Sequence, residues 1–262
     1  MKYKILDFHT HPYLDDCENI CIYKDNCRLT IEQAKNYLQS IGISKICGSV
    51  IYRKDGALCF NDVKKMNDVA LRLKDVLGDF YIPGFQIHSA FIKESIEEIE
   101  RAKSLGINLI GEVVPYIHGW SYCDSGLDEI LSAMDGKDMV FSYHSTVDTE
   151  KEQVAIDKLI ERHPSITFVA AHPGERDKYI AHLERLKKYD NYYLDLSGTG
   201  LFRFGMLSHG IKTVGNNKFL FGTDFPICAP AMYVGSVVND PFLSEQDKEK
   251  VLYDNAARLL KL

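Results

Sequence analysis

The residues best suited to chemistry in this sequence are histidines and carboxylates at the ends of apolar runs. The clearest case is ILDFHTHPY at residues 5–13, where Asp7, His9 and His11 follow one another at intervals of two. Residues two apart on a strand point to the same side of it. Two imidazoles on one side of a strand end could form half of a metal site. This stretch alone does not distinguish a metal site from a chance pairing.

The same residue types recur where later apolar runs end. Glu112 lies in GEVVP, His144 ends DMVFSYH, His172 ends ITFVAAH and Asp224 ends KFLFGTD. A lone histidine at a strand end is more often hydrogen-bonded or solvated than bound to a metal. Four histidines, a glutamate and an aspartate at equivalent positions are hard to reach by chance. The joint pattern therefore indicates a metal site.

The elements that must position these residues alternate along the whole chain. We predict eight strands, in KILDFH, KICGSVI, FYIPGFQI, INLIGEVV, DMVFSYH, ITFVAAH, YYLDLSG and KFLFGTD. Amphipathic segments lie between them; a capping box from Thr30 to Gln33 opens the first helix, and Ser244 caps the last. This alternation predicts an α/β fold with a parallel sheet.

The number of units and the chain length predict the architecture. Eight strand–helix units in 262 residues favour a single (β/α)₈ TIM barrel, with a doubly wound open sheet as the alternative. The metal site would then lie at the C-terminal ends of the strands, where barrel enzymes build their sites. We see no linker, repeat or low-complexity segment, and we predict one domain over residues 1–262.

Composition excludes several classes of partner. The net charge is −6 and 45% of residues are hydrophobic, which is ordinary globular composition. Without a cluster of lysines and arginines, neither nucleic acid nor an anionic membrane is expected to bind. We find neither a signal peptide nor a run of about 18 apolar residues, and we expect a cytoplasmic protein.

Seven cysteines lie scattered along the chain without CxxC pairs. This usage is typical of a reduced protein with structural thiols. Cys17, Cys21 and Cys27 lie close together, but their spacing fits no zinc motif, and we interpret them as loop cysteines.

The set HxH, Glu, His, His and Asp on successive strands resembles the amidohydrolase superfamily of metal-dependent hydrolases. The likeness runs along the whole chain, in DFHTHPY, GEVVPY, AAHPG, YYLDLSG, FGTDFP and VLYDNAARLL. These phrases are most similar to the amidohydrolase-related branch (amidohydrolase family 2). That branch also contains decarboxylases similar to aminocarboxymuconate semialdehyde decarboxylase.

The resemblance implies a ligand set for one or two divalent ions per chain, with zinc expected. His9, His11 and Asp224 would bind one ion, and His144 would complete that site or a neighbouring one. Glu112 would bridge two ions, or it would only orient a histidine. The decarboxylase-like branch binds one ion and usually lacks a ligand on the fourth strand, so Glu112 departs from its pattern.

The chemistry expected of such a centre is electrostatic. A divalent ion lowers the pKa of its water and polarises the oxygen under attack. Asp224 is the candidate general base. His172 would either bind a second ion or donate to the developing oxyanion.

Candidates for substrate binding lie in the loops after the strands. Tyr116 and Trp120 belong to PYIHGW, and His88 ends the third strand. Arg203 follows the seventh strand and could clamp a substrate carboxylate, with a surface arginine as the alternative. Three histidines in helical contexts are expected to be non-functional: His163, His182 and His209.

We therefore expect a metal-dependent hydrolase of a small-molecule amide, cyclic amide, lactone or ester. The first alternative is a mononuclear decarboxylase of an aromatic or unsaturated acid. A TatD-like phosphoesterase or nuclease is disfavoured by the acidic charge. A barrel that binds a ligand without catalysis is disfavoured because all six residues at the strand ends are present. These rim residues are His9, His11, Glu112, His144, His172 and Asp224. The oligomeric state is open, with a homo-oligomer as the alternative to a monomer.

Overall fold

The computed structural model describes residues 2–16, 18–53, 58–145, 149–201 and 203–262. Eight parallel strands form one sheet whose order follows the sequence. The strands are β1 (Ile5–Thr10), β2 (Ile43–Ser49), β3 (Tyr81–Phe85), β4 (Leu109–Val113), β5 (Val140–His144), β6 (Thr167–Ala171), β7 (Tyr192–Asp195) and β8 (Phe219–Leu220). The prediction of a (β/α)₈ barrel is confirmed.

Helices fill the connections between the strands. They are α1 (Ile31–Ser40), α2 (Phe60–Leu77), α3 (Ile92–Ser104), α4 (Pro115–His118), α5 (Ser125–Ser132), α6 (Glu150–Arg162), α7 (Arg176–Lys188), α8 (Met206–Val214), α9 (Pro230–Val238), α10 (Glu245–Glu249) and α11 (Asn255–Leu260). A 3₁₀ turn (Gly78–Phe80) follows α2, and a π-helical turn (Lys250–Asp254) joins α10 to α11. The predicted capping box at Thr30 and cap at Ser244 are both present.

The segments after β4 and β8 both contain helices. The segment after β4 begins with the short α4, and the segment after β8 contains α9. Each of these helices has a proline in its first turn, where the missing N–H costs nothing. Of the three clustered cysteines, Cys17 lies outside the described residues. The assignment of residues 1–262 to one domain stays a prediction.

Barrel closure brings the two ends of the sheet together around the metal-binding motif. The amide of Phe8 donates to the carbonyl of Phe221 at 2.8 Å, and the amide of Asp224 donates to the carbonyl of His9 at 2.8 Å. The amide of His11 reaches the carbonyl of Phe225 at 2.7 Å. The HxH segment and Asp224 are 213 or more residues apart in sequence, yet backbone bonds hold them side by side.

The core has two layers. One buried cluster takes a residue from most strands, among them Leu6, Leu109, Val140 and Val169, and α11 packs against it with Ala256 and Leu260. The second and larger cluster lies between the strands and the surrounding helices. Packing on both faces makes the strands rigid supports for the side chains at their ends. Among the described residues, no helix combines the length and apolarity that a bilayer span requires.

Candidate metal centre

His9 and His11 turn their Nε2 atoms towards each other at the end of β1, 3.1 Å apart. The opposite ring nitrogens are engaged elsewhere. His9 Nδ1 donates to Asp195 Oδ2 at 2.8 Å, and His11 Nδ1 donates to the carbonyl of Ser49 at 2.9 Å. Because a carboxylate and a carbonyl only accept, each Nδ1 carries a proton and each neutral ring presents an Nε2 lone pair.

Carboxylates complete the ring of electron-rich atoms. Glu112 Oε2 lies 3.3 Å from Nε2 of both His9 and His11. Asp224 Oδ1 lies 3.7 Å from His9 Nε2 and 3.5 Å from His11 Nε2. Two groups of possible ligand atoms converge in this way: His9, His11 and Asp224, and His9, Glu112 and His172. Converging lone pairs need a cation between them, and the chemistry of this donor set fits a divalent metal ion.

Glu112 lies between two sets of histidines. Its Oε1 accepts from His144 Nδ1 at 2.9 Å and lies 3.5 Å from His172 Nε2, while Oε2 faces the HxH pair. The backbone carbonyl of Glu112 accepts from Gln86 Nε2 at 2.6 Å, which ties the end of β4 to the end of β3. His144 touches Glu112 but belongs to neither group of convergent ligand atoms.

Burial and charge set the pKa values at the centre. Burial opposes ionisation of the Glu112 carboxyl, but His9 and His144 outweigh it and hold its pKa well below the usual range. Burial likewise opposes protonation of His11, but its bonds to Asp224 and Glu112 raise its pKa to about 9 in the metal-free protein. Without a metal, a proton on the His11 ring therefore takes the place of the cation, and a bound metal ion would displace it. Burial lowers the pKa of His172, so its ring is neutral. The centre therefore holds carboxylates that require nearby positive charge.

Two of the convergent residues have left-handed backbone. His172 has a φ of 71° and Asp224 a φ of 62°. Only a few per cent of residues other than glycine adopt this region, with asparagine, aspartate and histidine the most frequent among them, and such residues cluster at functional sites. Surrounding hydrogen bonds and packing must hold the two residues in place.

A small cavity of about 80 Å³ opens above the centre. Its apolar wall consists of Ile20, Ile51, Val114, Ile117 and Ile227. The other lining residues are polar or charged: His11, Arg53, Glu112, Tyr116, His144, His172 and Asp224. A larger groove of about 650 Å³ lies on the outer surface between α5 and α6, and none of the rim residues lines it.

The predicted substrate-binding residues fall into two groups. Tyr116 lines the cavity, is 57% exposed and has its ring 5.1 Å from that of His144. Trp120 and His88 are buried and do not line the cavity, and their ring centroids lie 6.0 Å apart. Arg203 lies off the cavity, where it forms an ion pair with Glu175.

Sequence reasoning missed two residues that the structure brings to the site. Arg53 lines the cavity from the loop after β2, and no motif marks it. Asp195 is fully buried at the end of β7 and holds His9. The sequence feature that could have identified Asp195 is its position at a strand end in YYLDLSG, two residues before Ser197. Asp7 lies further back, where its carboxylate accepts from the Thr223 amide at 2.9 Å.

Comparison with known proteins agrees with this geometry. The profile of the amidohydrolase family matches residues 7–262. The chain belongs to the amidohydrolase family. Among curated proteins, no sequence matches this amidohydrolase.

Solved structures share the amidohydrolase barrel at low sequence identity. A 2,6-dihydroxybenzoate decarboxylase bound to 2,6-dihydroxybenzoate is 16% identical with a TM-score of 0.73, covering 99% of this chain and 100% of that one. A 5-carboxyvanillate decarboxylase from Sphingomonas paucimobilis is 13% identical with a TM-score of 0.70, covering 100% of both chains. A dihydroxybenzoic acid decarboxylase from Polaromonas sp. JS666, with bound manganese and 2-nitroresorcinol, is 16% identical with a TM-score of 0.68, covering 99% of this chain and 97% of that one.

These similarities refine two expectations. The enzyme class is that of the amidohydrolase superfamily, whereas hydrolysis as the reaction is not established, because the solved relatives described above are decarboxylases. A divalent metal fits the residues present, but the expectation of zinc is not supported, because a solved relative holds manganese. The individual ligand and catalytic assignments stay predictions.

Proposed function

We propose that this protein is a metal-dependent decarboxylase that acts on a small aromatic or unsaturated carboxylic acid. The observation that carries the proposal is the cavity itself, which has one apolar wall, candidate metal ligands at its floor and the Arg53 guanidinium at its edge. Further support comes from the solved relatives, which are decarboxylases of hydroxylated aromatic acids.

The apolar wall would favour loss of the substrate carboxylate as carbon dioxide, whereas an arginine bound to that carboxylate would oppose it. Loss of carbon dioxide turns an anionic carboxylate into a neutral molecule, so apolar surroundings such as Ile20 and Ile227 favour the product side. A cation on the leaving carboxylate would stabilise the starting state instead. We therefore assign Arg53 to a second acidic substituent of the substrate, at the cavity edge.

The centre would act on the rest of the substrate. When bound, a divalent ion would polarise an oxygen substituent and stabilise charge that develops in the ring. His9, His11 and Asp224 would hold it, with Glu112 beside them. Asp224 is 8% exposed and lines the cavity, so its carboxylate can accept a proton from a substrate hydroxyl or a water molecule and pass it to the ring carbon from which carbon dioxide departs.

The test is a direct assay for carbon dioxide. Purified protein, reconstituted separately with Mn²⁺ and Zn²⁺, is incubated with 2,6-dihydroxybenzoate, 5-carboxyvanillate and a set of unsaturated dicarboxylic acids. We expect release of carbon dioxide from at least one acid, and loss of that release in an Asp224→Asn variant. Release from none of them, with hydrolysis of an ester, lactone or amide panel instead, would overturn the proposal.

A hydrolase is the second candidate, and the position of Glu112 favours it. Its two oxygens face different sets of histidines, as a carboxylate bridging two ions would. Elemental analysis beside a Glu112→Gln variant separates the candidates. About one ion per chain in both proteins agrees with the decarboxylase, whereas about two ions that fall to one in the variant favour the hydrolase.

A further inference from the structure

Asp195 uses its two carboxylate oxygens for two different partners. Oδ2 accepts from His9 Nδ1 at 2.8 Å. Oδ1 accepts from the backbone amide of Ser197 at 2.8 Å and also from the Ser197 hydroxyl. Both residues are fully buried, so water does not compete for these bonds.

The Ser197 hydroxyl extends the chain of bonds to a second histidine. Its oxygen lies 3.0 Å from His172 Nδ1. A carboxylate only accepts, so the single proton of Ser197 goes to Asp195. The serine oxygen can then only accept, and His172 Nδ1 must be the donor. The Nε2 of a neutral His172 therefore carries no proton and presents its lone pair towards Glu112 Oε1, 3.5 Å away.

We propose that Asp195 and Ser197 are positioning residues that set the tautomers of both His9 and His172. One carboxylate acts directly on His9 and, through the serine hydroxyl, on His172, so that both rings offer Nε2 lone pairs to the centre. The proposal rests on the proposed metal-dependent function. It assigns His172 to metal binding or to base chemistry, and it excludes the neutral ring as a donor to an oxyanion.

Two glycines lie against Asp195, Ser197 and His172. Gly198 has a φ of +59°, and a Cβ atom there would lie 2.2 Å from His172 Nδ1. A Cβ atom at Gly222 would lie 3.1 Å from both Asp195 Oδ1 and the Ser197 Cβ. The two glycines therefore leave room for the carboxylate, the hydroxyl and the imidazole, and for no further side chain.

The test reads the tautomer of His172 in metal-free protein by long-range ¹⁵N–¹H NMR on ring-labelled histidine, at a pH where the His172 ring is neutral. A His172→Gln variant assigns the signal. We expect a pyrrole-type Nδ1 and a pyridine-type Nε2 in the wild-type protein. In Ser197→Ala, the His172 signals should move towards the opposite tautomer, because the hydroxyl acceptor is gone.

Ser145→Ala is the matched control. Ser145 is also buried, and its hydroxyl binds the carbonyl of His172 at 3.2 Å but not the ring. This variant should leave the His172 tautomer unchanged. If Ser197→Ala does not fold, Ser197→Cys should show a shift in the same direction, because sulfur is a weak acceptor.

Metal affinity supplies a second readout. Titration with Mn²⁺ should show binding weakened about 10- to 100-fold in Ser197→Ala, and at least as much in Asp195→Asn, which disturbs both histidines. An Nε2–H tautomer in the wild-type protein, or a tautomer and an Mn²⁺ affinity unchanged in Ser197→Ala, would overturn the proposal. The tautomer is measured without metal or substrate, so this outcome is independent of whether the protein decarboxylates any acid.

Discussion

His9 Nε2 and His11 Nε2 lie 3.1 Å apart, and the acceptors bound to their opposite nitrogens leave neither neutral ring a proton to place between them. Two lone pairs at this distance repel each other unless a proton or a metal ion lies between them. Glu112 adds a carboxylate oxygen 3.3 Å from each atom. The two rings therefore direct their Nε2 atoms towards the same point beside Glu112.

Removal of one of these imidazoles should remove the metal without unfolding the barrel. We expect a His11→Ala variant to lose tightly held metal on dialysis, as judged by elemental analysis, and to keep the circular dichroism of the wild-type protein. His209→Ala is the control, because His209 is exposed on α8. Full metal occupancy in the His11 variant would remove this residue from the ligand set.

The two arginines considered for substrate binding should differ in their effect. Arg53→Ala should reduce kcat/KM for a dicarboxylic substrate about 10-fold or more, mainly through KM, because it loses a charge-assisted hydrogen bond. Arg203→Ala removes the same charge from a position off the cavity, where the side chain pairs with Glu175. It should leave kcat/KM within about twofold. Equal losses in the two variants would contradict the assignment of Arg53.

Alanine substitutions at two glycines with similar backbone angles should distinguish the effect of a steric clash from that of backbone strain. Gly198 and Gly136 have φ values of +59° and +69°, but only at Gly198 would a Cβ atom meet a neighbour within 4 Å. Gly136→Ala should cost about 1–2 kcal/mol of stability from left-handed strain alone. Gly198→Ala should cost more and also weaken Mn²⁺ binding, because His172 must move. Urea unfolding measures the loss of stability, and Mn²⁺ titration measures metal binding. If Gly198→Ala binds Mn²⁺ as tightly as the wild-type protein, the expected displacement of His172 is wrong.

His182 should make the protein lose stability in acid. Its ring is buried against Tyr192 and Ser145, and burial lowers its pKa to about 3 from an ordinary value of 6.5. Between these values the unfolded chain binds a proton that the folded protein does not. The free energy of unfolding should therefore fall as pH drops from about 6.5 towards 3, by up to about 1.4 kcal/mol per pH unit from this group.

The measurement for His182 is urea unfolding at several pH values in the wild-type protein and in His182→Gln. The variant should show a shallower fall with decreasing pH, whatever its stability at pH 8. His209→Gln, at an exposed position on the next helix, should leave the slope unchanged. An identical slope in the wild-type protein and His182→Gln would show that the ring titrates normally.

The barrel and the meeting of the six rim residues followed from local patterns. Strand and helix periodicity is a property of neighbouring residues, and parallel strands of a closed barrel have their C-terminal ends on one face. Once eight such units were recognised, His9 and Asp224 had to lie on the same rim. The capping signals at Thr30 and Ser244 were equally local and are present.

The partners of these residues depended on the tertiary structure. Arg53 and Arg203 both follow strands, but only Arg53 turns to the cavity, since Arg203 pairs with Glu175. The bond from His9 to Asp195 joins residues 186 apart in sequence, and it decides which ring nitrogen faces the centre. A hydrogen bond or ion pair of this kind depends on atomic distances across the barrel. Spacing along one strand does not specify these distances. The strand pattern therefore located the imidazoles, whereas their tautomers follow only from the folded structure.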